Sequence, residues 1–223
     1  MLHQIRCSIF YFKICQLTCL ILFLCMMTDV FLNSDLGLVE TQIWSMIEKG
    51  VSSFRAPFHY LTVATIAQDK PELRTVILRD ADKQKREISF HTDARSPKVA
   101  QLKNSNTISL LFYDSENRIQ LRCSGEAILH YKDARAELAW KKSRLSSQLC
   151  YTNLLPSGAD LTAPELIDLS RTDVSEDELE KAYANFLVVT SKINEIDWLF
   201  LHHKGHRRAR FDYIKNCFQW KQV

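Results

Sequence analysis

Two groups of polar side chains in this 223-residue chain are placed to act together on an anion. Arg74 and Arg79 bracket a short apolar run, and Thr92, Ser96 and Lys98 cluster where a strand-like stretch enters a helix. A helix N-terminus offers free backbone N–H groups and the positive end of a dipole. Hydroxyls and a lysine beside it make a seat for a phosphate, whose charge is about −1.5 to −2. The plainer alternative is that Ser96 only caps the helix and Lys98 is solvated, and spacing alone leaves both readings open. His202, His203 and His206 with Asp197 invite a metal site. Adjacent histidines on a strand point to opposite faces and do not easily share one ion, so a polar turn is preferred there and no metal is expected.

The elements that must position these residues read mostly as strands. Leu38 to Val51 has helical apolar spacing at Val39, Ile43, Met46, Ile47 and Val51. Strands follow at Tyr60 to Ala67, Leu73 to Arg79 and Glu87 to Thr92, with turns at Asp69 to Pro71 and Asp82 to Lys85. Alternation along the second strand puts Arg74, Val76 and Leu78 on one face and Thr75, Ile77 and Arg79 on the other. A short helix runs from Ser96, its N-cap, to about Lys103, with Pro97 at the first helical position. Ile108 to Tyr113 and Arg118 to His130 form a hairpin. Lys132 to Leu145 is helical, with Ala134, Leu138 and Lys141 on one face. Cys150 to Thr172 reads as a long loop, of the kind that covers something. Ser175 with Glu178 makes a capping box, and Phe186 to Ser191, Ile196 to Leu201, Arg208 to Ile214 and Phe218 to Lys221 close the chain as strands. Hairpin-linked strands without βαβ alternation argue for a mainly β fold, a β-barrel or sandwich with flanking helices, and against a Rossmann sheet.

Composition bounds the function classes. Apolar residues make up 46% of the chain, with only 5 Gly and 5 Pro, so a sizeable core is expected and disorder is not. A net charge of +3 does not announce a nucleic-acid partner. The 7 Cys include no CxxC pair and read as reduced thiols. Residues 1–27 form a hydrophobic leader with three open readings: a membrane anchor through residues 9–27, a poor signal sequence, or translated upstream sequence with the true start at Met26 or Met27. The third is preferred, which leaves a cytoplasmic protein with residues 36–223 as its domain. A membrane partner is expected only if the leader is a real anchor.

Five segments, in order, resemble the pyridoxamine 5′-phosphate oxidase family: Arg74 to Arg79 (RTVILR), Phe90 to Lys98 (FHTDARSPK), Ser109 to Tyr113 (SLLFY), Gln120 to Ala127 (QLRCSGEA) and Asp197 to Phe211 (DWLFLHHKGHRRARF). The resemblance implies an FMN-binding split β-barrel. Arg74 and Lys98, with Thr92 and Ser96, would hold the phosphate and ribityl chain. The backbone of Val76, Ile77 and Leu78, flanked by Arg79 and His91, would line the isoalloxazine ring, and Gln120 would bond a polar edge. Trp198 and Arg210 would close the site from the second subunit of a homodimer. Pro97 stands where the family has a phosphate-binding Arg, and Arg79 replaces its substrate-facing Lys, so the resemblance implies a less characterised FMN-binding subgroup rather than the true oxidase.

The function expected on that basis is an FMN-dependent oxidoreductase, with hydride transfer from a small substrate to the flavin. Arg79, Arg144 and Arg207 are the candidates for gripping an anionic substrate, and no residue is an obvious general base. A flavin- or haem-binding protein without turnover, on the same barrel, is the alternative.

Overall fold

A computed structural model describes residues 31–164 and 168–223. The leader, residues 1–27, lies outside the described residues, with the readings attached to it. The chain divides between Ser45 and Met46, and the larger unit, Met46–Val223, contains every strand.

The strands follow the sequence closely at first. Helix α1 (Leu36–Ser52) precedes β1 (Tyr60–Ala67), β2 (Lys70–Asp82) and β3 (Glu87–Asp93). The β1–β2 turn is tighter than expected. Gln68 and Asp69 both take positive φ, 47° and 63°, so two residues suffice, as in the hairpin turns whose twist matches that of the strands. Lys70 and Pro71 therefore already pair with Ala67 and Ile66. Helix α2 (Pro97–Asn104) leads to the β4 (Thr107–Asp114) and β5 (Ile119–His130) hairpin. Strand β6 (Phe186–Phe200) then runs to the β7 (Arg207–Asp212) and β8 (Cys217–Lys221) hairpin.

All neighbouring strands are antiparallel, in the order β3-β2-β1-β4-β5-β6-β7-β8, and a β3–β6 pairing closes the first six into a barrel. Closure pairs the outer strands of that six-stranded sheet with each other over part of their length, which limits its exposed edges. Inward side chains such as Leu61, Val63, Leu78, Phe90, Phe112 and Leu121 fill the interior.

Strand β6 is one strand of 15 residues where two, Phe186 to Ser191 and Ile196 to Leu201, are expected from sequence. Its first half pairs with β3 and its second half with β7, while β5 runs along its other side throughout. The change of partner falls at a register shift opposite Ser124 and Gly125 that leaves Asn194 out of the ladder. The Asn194 carbonyl accepts from the Tyr213 N–H at 2.9 Å instead. A Cβ at Gly125 would lie 1.9 Å from the Lys192 carbonyl oxygen, so only glycine fits this crossing.

The helix expected through Leu145 stops earlier. Helix α3 (Ala134–Lys142) is capped by Asp133, which accepts from the Ala136 N–H at 2.9 Å, and a separate single turn, α4 (Leu145–Gln148), follows. The buried face of α3 is Ala136, with Ala139 and Trp140 packed beside it on Phe186; Leu138 faces outward. Helix α5 (Glu176–Tyr183) has Ser175 as its cap at 3.2 Å from the Glu178 N–H. The Glu178 carboxylate turns to Arg171, at 2.6 Å, rather than back to the cap. Between Tyr151 and Ser175 the described residues contain no helix or strand.

Candidate functional site

The site is a consequence of how β2 is shared. Along Lys70–Ile77 β2 pairs with β1, but it pairs with β3 only from Leu78 to Asp82. Beyond Phe90, β3 pairs with β6 alone and passes into α2, so the Glu72–Ile77 stretch of β2 has no strand on its second side among the described residues. An unpaired strand edge presents backbone N–H and C=O groups outward. Here they face a cleft of about 510 Å³ between β2, the β3–α2 corner and the loop after α4. The size falls in the range of small-molecule sites, roughly 300–1,000 Å³.

One end of the cleft is cationic. The Arg74 guanidinium donates to the Thr65 hydroxyl, to the Glu72 carbonyl at 2.9 Å and to the Gln101 side-chain carbonyl at 3.3 Å, and pairs with the Glu72 carboxylate at 3.2 Å. Lys98 donates to the Thr92 hydroxyl at 3.0 Å, and Thr92 lies 3.3 Å from the Ser96 hydroxyl. Burial lowers the Lys98 pKa from its ordinary value and the nearby Arg74 charge lowers it further, with Asp93 opposing. Arg74, with the Glu72 carboxylate on one side, and Lys98 thus set two positive charges at one end of the cleft, and an anion there would be favoured.

The other end is neutral and aromatic apart from Arg79. His91 lines it with its pKa brought down to about 4, chiefly by burial and then by the Arg79 charge, so its imidazole is uncharged at neutral pH. Tyr151 lines it too, its phenol held protonated by burial. Both rings stand edge-on to Phe186, with centroids 4.9 and 5.1 Å away. Arg79 is the residue at which the β2–β3 register shifts, between Leu78 and Asp80. Such bulges re-aim side chains beside sites.

Arg95 fixes the wall above. It pairs with Asp93 through two contacts, 2.8 and 3.1 Å, and donates to the carbonyls of Asn153 and Leu154, both at 3.0 Å. These bonds hold the loop whose Ser157 and Gly158 line the cleft beside Pro97.

Of the residues singled out from sequence, Arg74, Val76, Ile77, Arg79, His91, Thr92 and Lys98 meet at this cleft. Ser96 sits just behind it, buried against Thr92, and does not cap α2 through its side chain. The Leu78 side chain points into the barrel core. Gln120 lies elsewhere, opposite Tyr113 and Leu199. Trp198 is fully buried against Phe200 and Trp220, and its ring has no surface to offer a ligand. Arg210 is ion-paired with Glu195. Arg144 is exposed at the start of α4, and Arg207 lies over the Trp220 ring at 5.8 Å. Asp197 is bound by Arg122 and Arg208, at 2.6 and 2.7 Å, away from the histidines. His202 and His203 fall beyond the end of β6, in a turn, with their rings 4.2 Å apart. Sequence reasoning missed Glu72, Gln101, Arg95 and Tyr151. The only signal for the last two was the length of the loop they anchor.

Residues 41–131 match the family model described as pyridoxamine 5′-phosphate oxidase, FMN-binding domain. A pyridoxamine 5′-phosphate oxidase-related, FMN-binding protein from Nostoc punctiforme superposes with a TM-score of 0.61 at 18% identity, covering 81% of this chain and 94% of that one. The match over residues 41–131 makes the chain similar to that family, and the superposition shows that it shares the split-barrel fold. Two further members of that fold are similar. PhzG from Burkholderia lata, solved in complex with tetrahydrophenazine-1-carboxylic acid, has a TM-score of 0.59 at 18% identity over 84% of this chain and 91% of that one. A Clostridium acetobutylicum protein of the pyridoxinephosphate oxidase family, related to general stress protein 26, has a TM-score of 0.52 at 15% identity over 80% and 96%. No curated protein matches the sequence. Among the described residues no helix is long and apolar enough to cross a membrane.

Proposed function

We propose that the cleft binds FMN and that the protein is an FMN-dependent oxidoreductase acting on a small substrate. The observation that carries this is the pairing of a crowded cationic end, Arg74 with Lys98, with the open backbone edge of β2 in a single cleft. The residues fit the group. Lys98, Arg74 and the Thr92 hydroxyl suit a phosphate, since charge-assisted bonds to it are among the strong ones. The edge from Val76 to Ile77 suits a flat ring with polar atoms along its rim. His91, uncharged, and the Phe186 edge behind it give that ring an apolar flank. When bound, flavin supplies hydride acceptance, and the protein supplies position and electrostatics.

The same reading includes a homodimer. The outer faces of β2, β1 and β4 expose Leu73 (63%), Tyr60 (54%) and Tyr113 (53%), with Leu111 between them, an apolar stripe of the kind that marks an interface. Gln120 pairs with Tyr113 and Arg210 pairs with Asp197, next to Arg122, so both lie on sheet positions continuous with that stripe. A two-fold partner would present them to the other cleft. Trp198, being buried, has no part in this wall.

The test is a flavin-fluorescence titration of the chain stripped of small molecules. Quenching that saturates at one FMN per chain, and that weakens in Lys98→Ala, is the expected result. No quenching, or a Soret band in the purified protein in place of flavin absorbance, replaces this reading with another.

A further inference from the structure

At the Lys98 end of the cleft the two cations are not equally free. Strand alternation puts Glu72 and Arg74 on one face of β2. Helix α2 brings Lys98 and Gln101, about one turn apart, to the same place. Both terminal nitrogens of Arg74 are committed there. Nη1 donates to the Thr65 hydroxyl and the Glu72 carbonyl, and Nη2 to the Glu72 carboxylate and the Gln101 side-chain carbonyl. The Gln101 amide in turn donates to the same Glu72 carboxylate oxygen at 2.8 Å, so the carboxylate is held on the guanidinium from two sides. Lys98 differs. It donates to the Thr92 hydroxyl, and among the described residues no carboxylate pairs with it. Asp93, the acid that acts on its charge, is bound by Arg95 at 2.8 Å.

A phosphate entering this end therefore meets Lys98 open and Arg74 closed. A guanidinium gives its strong bonds to phosphate as a two-pronged fork, and here both prongs already hold acceptors. To use them the phosphate must displace one. Thr65 is buried and neutral, and the Glu72 carbonyl belongs to the strand that pairs with β1. The Glu72 carboxylate is charged and its side chain is 49% exposed, so it can turn into water, and an ion pair this exposed is weakly held. If it stays, it repels the phosphate. Glu72 is thus the group that both blocks Arg74 and can leave.

We propose that Glu72 is a built-in competitor for the phosphate at Arg74, a carboxylate that must yield the guanidinium when a phosphate-bearing flavin enters and that holds the flavin's affinity down. The proposal rests on the reading that this end takes the FMN phosphate. Its consequence is a flavin that exchanges with solution more readily than two open cations would allow.

FMN and riboflavin, which differ only by the phosphate, are titrated by fluorescence quenching into the ligand-stripped wild type, Glu72→Gln, Arg74→Met and the double variant. Glutamine keeps the shape of Glu72 and an acceptor for Gln101, and removes only the charge. Glu72→Gln should tighten FMN by about tenfold and leave riboflavin within about twofold. With Arg74→Met in place, the same substitution should gain no more than about threefold, because repulsion is still relieved but no guanidinium is left to be freed. If neither flavin binds wild type or Glu72→Gln, the FMN reading fails, and calorimetric titration with inorganic phosphate, for which the same pattern is expected, still decides the role of Glu72. FMN or phosphate affinity that is unchanged, weaker or undetectable in Glu72→Gln, an equal gain for riboflavin, or an equal gain in the Arg74→Met background overturns the proposal.

Discussion

Acidification should destabilise this protein through His91, well above the pH at which carboxylates titrate. The imidazole is withdrawn from water against Phe186 and sits in the field of Arg79, and together these bring its pKa from the ordinary 6.5 down to about 4. The sign follows from which state binds more protons. Between about pH 6.5 and about pH 4 the unfolded chain carries a proton on His91 and the folded chain does not, so stability falls as pH falls through that window. A difference of about 2.5 pKa units corresponds to roughly 3 kcal/mol once both pKa values are passed, and about 2 kcal/mol of it is lost between about pH 7 and about pH 5. His91→Phe keeps the ring against Phe186 and removes the titration. Urea unfolding of ligand-stripped wild type and His91→Phe, at those two pH values, isolates the effect, because the carboxylates and other histidines contribute equally to both. The wild type should lose about 2 kcal/mol more than the variant. Parallel losses in the two proteins would refute the placement of a buried, neutral His91 beside Arg79.

Other perturbations read other parts of the structure. Arg74→Ala should weaken FMN binding by roughly 1.5–3 kcal/mol, the worth of a charge-assisted bond, with fluorescence titration as the measure. Arg95→Ala removes the donor to the Asn153 and Leu154 carbonyls. Limited proteolysis should then cut the 153–159 segment faster while the barrel stays folded. Gly125→Ala places a Cβ against the Lys192 carbonyl where 1.9 Å is available, and should lower stability by several kcal/mol in thermal unfolding, among the large effects for a single site. Leu111→Glu puts a charge in the exposed stripe of the outer sheet, and light scattering should report a dimer for the wild type and a monomer for the variant.

Much of this was legible in the sequence because it rests on local rules. The Tyr60–Ala67 strand alternates and is rich in β-branched residues, and it forms with those bounds. The cationic cluster was also legible, since a strand entering a Ser-Pro helix start fixes where Thr92 and Lys98 stand. What could not be read depends on partners distant in sequence. That β2 is open from Glu72 to Ile77 follows from where β3 stops pairing with it, and that β6 is continuous follows from its exchange of β3 for β7. Tyr151 reaches the cleft only because Arg95 and Asn185, from 56 residues before and 34 after, bind the backbone around it. Trp198 illustrates the opposite error. An aromatic in a matching motif suggested ligand cover, but strand alternation beyond the Asn194 bulge turns it inward, onto Phe200 and Trp220.

The account depends most on what the cleft between β2 and the β3–α2 corner holds. The direct measurement is to purify the full chain, record its absorbance spectrum, release any bound small molecule by denaturation and weigh it by mass spectrometry. FMN, at up to one per chain and lost in Lys98→Ala, is the predicted result. A different cofactor, or a wild-type chain that neither carries FMN nor takes it up when FMN is added, would contradict it.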